Sequence, residues 1–129
     1  MVTTTESGQL AGECTTWIDS LRALRNKFQN NKNTLQQLAV DQTQKDMLLE
    51  IEHFDNQFHI QLINIHDLKQ AVKRHVNKIG YERMNTNHLS DDVLARHEYL
   101  YDEYQRLDTT LNIISREFDR FTKYASIKE

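Results

Sequence analysis

Apolar residues recur in alternating steps of three and four along almost the whole of this 129-residue chain. That rhythm admits little except long helices packed along a shared seam. The first ladder is Leu10, Cys14, Trp17, Leu21, Leu24, Phe28, Asn31, Leu35 and Leu38. The second is Leu48, Ile51, Asp55, Phe58, Leu62, Ile65, Lys69, Val72, Val76 and Ile79. The third is Val93, His97, Leu100, Tyr104, Leu107, Leu111, Ile114, Phe118, Phe121 and Ala125. Helix breakers are scarce to match. There is no Pro, and only three scattered Gly. Average usage would give roughly six and nine. Sandwiches, barrels and glycine-rich phosphate loops are thereby disfavoured.

The breaks between ladders carry local signals. Leu38 to Leu48 does not keep the heptad, and Asp41 with Gln44 suits a capping box. Gly80 follows Ile79, with Lys78 in the turn before it, as a helix end prefers. Ser90 can cap a third helix with Asp91 and Asp92 in its first turn, and Leu89 with Leu94 can form a hydrophobic staple. The spacing predicts helices near 9–39, 42–79 and 90–126, the last two each about 55 Å long. The run Asn30–Asn33 leaves open an earlier end to the first helix. Residues 1–8 are expected to form a flexible tail, and 9–129 one domain. The fold class is all-α, an elongated three-helix bundle with antiparallel neighbours.

Facing positions in an antiparallel pair have a constant residue-number sum. Sums of 172 or 173 align the second and third ladders, placing Val76 with His97 and Ile51 with Phe121. Sums of 82 or 83 align the first two, placing Leu24 with Phe58. In the resulting layers Lys69 lies beside Cys14 and Tyr104, and Asp55 beside Phe28 and Phe118. Such polar seam residues (Cys14, Asp55, Lys69, His97, Tyr104) fix register at some cost in stability, or Lys69, Tyr104 and Cys14 form a small polar pocket.

The six histidines raise a metal question. Glu52, His59 and His66 recur every seven residues on one side of the second helix. Glu50 with His53 is a single E-x-x-H, whereas carboxylate-bridged di-iron bundles use two. Residues seven apart also stand about 10 Å apart on one helix, too far to share an ion unaided. No cofactor is therefore expected. No nucleophile motif is present either, and the chain reads as non-enzymatic. Arg96, Tyr99, Tyr101 and Arg106 gather outside the third seam. Tyr and Arg are the residue types enriched at binding hot spots. They make a protein partner, or a second copy of this chain, the leading expectation. A metal- or small-ligand-binding bundle using histidines and carboxylates is the alternative.

Net charge of −3, with Lys and Arg interspersed among Asp and Glu, gives no basic footprint for nucleic acid or an anionic membrane. One cysteine, no signal-like opening stretch and no long apolar run point to the cytoplasm.

The stretch IEHFDNQFHIQLINIHDLKQAVKRH, residues 51–75, resembles short helical-bundle proteins of uncharacterised function from Bacteroidetes. The resemblance implies a small cytoplasmic bundle without an activity. Trp17-Ile18, followed by two more long helices, is similar in layout to a spectrin-type repeat. That likeness concerns architecture alone.

Overall fold

The computed structural model describes the backbone of residues 4–128 and the side chains of 6–125. Three helices follow in order: α1 (Thr4–Ala39), α2 (Lys45–Thr86) and α3 (Asp91–Lys128). They pack as an antiparallel three-helix bundle. Asn30–Asn33 lies inside α1, so that run does not turn. The expected tail is also shortened. Residues 4–8 are helical, and Ser7 is already buried. Residues 1–3 lie outside the described residues.

Two boundaries differ from expectation. Asp41 adopts a left-handed conformation (φ 62°) just past α1 and does not open a capping box. The N-cap of α2 is Gln44, whose side chain makes no capping bond. At the other end α2 runs through Gly80, which keeps an ordinary helical φ, and stops at Asn87 (φ 51°). The extra two turns are held from outside the helix. The Glu82 carboxylate accepts the Ser90 backbone N–H at 2.7 Å and the Ser90 hydroxyl at 3.0 Å. Ser90 Oγ in turn accepts the Val93 N–H at 3.2 Å, the N-cap expected from sequence. One carboxylate thus joins the last turn of α2 to the first of α3.

The α2–α3 register keeps a constant sum of 172: Phe54 meets Phe118, His75 meets His97 and Glu82 meets Ser90. Between α1 and α2 the pairing sits about one turn nearer their loop than expected. Phe58 packs on Phe28 at 5.1 Å, one turn beyond Leu24. The later start of α2 explains the shift, because a longer linker moves the pivot.

The core has two parts. Toward the α1–α2 loop, Phe28, Phe54, Phe58, Phe118 and Phe121 form a ring-to-ring stack with centroids 4.9–6.4 Å apart. Toward the α2–α3 loop, Cys14, Trp17, Val72, Ile79, Leu89, Val93 and Leu100 form a second cluster. Asp55 does not occupy the seam beside Phe28 and Phe118. Phe54 packs on Phe118 and Phe58 on Phe28, while the Asp55 carboxylate is half-exposed and pairs with Lys32 at 3.9 Å. Lys69 is buried as a seam residue. Its charged surroundings are Arg25, Lys73 and Arg22. Burial, then those cations, hold its pKa below the usual lysine value.

Candidate metal centre

In the second cluster each helix contributes one donor to a single layer. Cys14 comes from α1, His75 from α2 and His97 from α3; all three are buried. The α2–α3 register of 172 sets the two imidazoles opposite one another. Their facing nitrogens, His75 Nε2 and His97 Nδ1, stand 3.0 Å apart. Cys14 Sγ lies 3.8 Å from the same Nδ1. All three donor atoms fall within 4.8 Å of one another.

These separations suit a small cation. A tetrahedral zinc with Zn–N of about 2.0–2.1 Å and Zn–S of about 2.3 Å separates its donors by roughly 3.3–3.6 Å. The nitrogen–nitrogen and sulfur–nitrogen distances bracket that range. The Cys14 Sγ and His75 Nε2 pair is held only to within 4.8 Å, so closing the set around an ion requires these two side chains to move toward each other.

The far side of His97 is fixed as well. Its Nε2 lies 3.0 Å from a Glu13 carboxylate oxygen. A carboxylate can only accept there, so Nε2 carries the proton and Nδ1 presents its lone pair toward Cys14 and His75. A carboxylate holding the outer nitrogen of a histidine is the usual support of a metal ligand, because it sets the tautomer and strengthens the donor. Formal charge balances too. A divalent ion would be neutralised by the Cys14 thiolate and the Glu13 carboxylate, and a buried ion needs such compensation.

Without an ion, Cys14 and His75 are held in their neutral forms. Burial, and then the Glu13 carboxylate, push the Cys14 thiol up to about 12. Burial, then His97, then Arg96, push His75 down to about 4. Glu13, His97 and Cys14 have the order of a thiol relay, but such a thiol is a poor nucleophile: it is fully buried and holds its proton. A bound cation reverses this, since a coordinating thiol is deprotonated outright.

Aromatic rings close one side of the layer. The Trp17 ring lies 4.9 Å from that of His97, Tyr104 stacks on Trp17 at 5.9 Å and 22°, and Tyr101 leans on it at 5.9 Å. On the α2–α3 side, His75 borders a groove.

The other expected site residues are placed as follows. Cys14 meets His97, Tyr104 packs on Trp17 beside them, and His75 meets His97 where Val76 was expected. Glu52, His59 and His66 are all exposed along α2 and do not converge with another helix, so the ligand set expected of them is not formed. Arg96, Tyr99, Tyr101 and Arg106 are exposed on α3. Arg96 lies over the Tyr99 ring at 5.0 Å, and Arg106 pairs with Glu103 at 3.5 Å. Arg96, Tyr99 and Arg106 border a second groove of about 550 Å³ with Gln61, Asn64 and Asp67, whereas Tyr101 faces Trp17. Among the described residues no helix is long and apolar enough to cross a membrane.

Sequence reasoning missed His75 and Glu13. The signal for His75 was the register itself: a sum of 172 pairs it with His97, while 173 pairs His97 with Val76. Glu13 had no signal beyond its place beside Cys14. No family model, curated protein or solved structure matches this chain, so its chemistry rests on the geometry above.

Proposed function

We propose that this protein is a metal-binding three-helix bundle that holds one divalent transition-metal ion, zinc foremost, through Cys14, His75 and His97, with Glu13 orienting His97. The observation that carries this reading is the convergence of one soft or borderline donor from each helix within 4.8 Å. Thiolate and imidazole together select zinc and its neighbours over magnesium or calcium. Three protein donors leave a fourth position for water or an added ligand. Because the ligands come from all three helices, the ion also ties the bundle together. A reducing cytoplasm would keep the thiol available to it.

Calorimetric titration with zinc tests the reading. The expected result is one ion per chain in the intact protein, and loss of binding in Cys14→Ala and in His97→Ala. Zinc at 100 times its Kd would raise the unfolding free energy by about 2.7 kcal/mol. Absence of binding, or binding unchanged in both variants, would contradict the proposal. It would leave the layer as a polar device that fixes register.

A protein-docking role for α3 is a second reading, favoured by the exposed Arg96–Tyr99 stack at the edge of the larger groove. It expects a mass above the monomer, or a bound partner, lost in a Tyr99→Ala/Arg106→Ala variant. A monomer that gains no partner would contradict it.

A further inference from the structure

The groove that reaches His75 has a character of its own. It lies between α2 and α3, encloses about 380 Å³, and is bordered by Ala71, Arg74, His75, Lys78, Val93 and Arg96, with Asp92 at its edge. Three of these side chains are cations and one is an acid. The larger groove farther along mixes Arg96 and Arg106 with Asp67 and Glu103, and shows no such excess.

We propose that the smaller groove binds a small organic anion, a carboxylate or a phosphate monoester, and presents its oxygen to the open position of the metal. The inference rests on the metal reading above and names what that site takes. The volume lies within the range of small-molecule sites, about 300–1,000 Å³. Ala71 and Val93 offer an apolar wall for a hydrocarbon portion. The cations are only lightly engaged at present. Lys78 pairs with Glu82 at 3.7 Å and lies 5.6 Å from the Tyr81 ring, and Arg96 rests on exposed Tyr99. The Arg96–Tyr99 contact is exposed and contributes little, and the Lys78 ammonium is itself exposed although its Glu82 partner is buried, so an anion making charge-assisted hydrogen bonds can recruit both cations. Asp92 opposes an anion and limits the net attraction. An oxygen donor suits the fourth position of zinc, which accepts carboxylate oxygens at about 2.0–2.2 Å.

The test is titration of cobalt-loaded protein with benzoate and, separately, phenyl phosphate, read in the visible cobalt bands. The expected result is a saturable shift with at least one of them, and the tighter of the two identifies the anion class. Arg74→Gln and Arg96→Gln should each weaken that affinity about tenfold. Arg83→Gln, on α2 outside the groove, should leave it unchanged. Bands that do not respond to either anion, or affinities equal in all variants, overturn the anion proposal and leave the metal site standing. Absence of a thiolate–cobalt band before any anion is added overturns both.

Discussion

The two halves of the bundle solve the same packing problem with different materials. Around Phe58 five phenylalanine rings fill the centre. Around His97, at the same kind of seam position, the centre is Cys14, His75 and a Glu13-tethered imidazole. A layer of apolar residues would suit the second half as well, because a buried polar group that keeps its hydrogen bonds adds only about 1 kcal/mol each and costs more when one is lost. The Phe-rich half anchors the fold. The Cys–His half replaces part of that apolar packing with polar donors, one of which, His75, borders the neighbouring groove.

The contrast can be tested by breaking each half in turn. Phe58→Ala should have the largest effect on stability, about 3–5 kcal/mol by chemical denaturation, because its ring is fully buried against the rings of Phe28, Phe54 and Phe118. Zinc affinity should stay intact under conditions where that variant is folded. Glu82→Gln comes next, at about 1–2 kcal/mol, since it weakens the carboxylate link between α2 and α3. The Ser90 backbone N–H is the main cause holding the Glu82 carboxyl below its usual range. A carboxyl lowered in the folded state stabilises above its unfolded pKa of 4.5, and the benefit is lost as pH falls through the folded value. Acid titration of stability should therefore be flatter in Glu82→Gln than in the parent. Lys69→Met should have the smallest effect, and the opposite sign: a gain of about 1 kcal/mol at neutral pH, by removing a buried cation set among Arg25, Lys73 and Arg22. In the parent, a lysine lowered in the folded state makes stability rise as pH climbs from its folded value toward 10.5. The variant should lose that rise.

Much of the fold was legible because long heptad ladders without proline leave few alternatives. What the ladders left ambiguous was the rotation of α2. Two registers share Ile51, Phe58, Ile65, Val72 and Ile79. Hydrophobicity fills the alternate positions with Leu48, Leu62 and Val76. The structure instead buries Met47, Phe54, Gln61, His75 and Glu82, and leaves Leu48 exposed. The middle helix faces two neighbours, so its buried stripe is wider than a two-helix seam. Apolar counting alone then cannot choose the edge of that stripe. The same choice hid the candidate site, since His75 lies on the edge that counting passed over. The exposed Glu52, His59 and His66 show the reverse error: spacing along one helix is periodic whether or not a second helix supplies the remaining donors. The end of α2 was misplaced because Gly80 reads as a stop, while the link that carries the helix onward, Glu82 to Ser90, spans eight residues and a turn.

The most direct test of the metal centre is the absorption spectrum of the cobalt-substituted protein. The structure predicts an intense thiolate-to-cobalt band with the strong visible bands of four-coordinate cobalt, at one ion per chain, and loss of the thiolate band in Cys14→Ser. A weak octahedral spectrum, or a thiolate band that survives in Cys14→Ser, would contradict the Cys14–His75–His97 site.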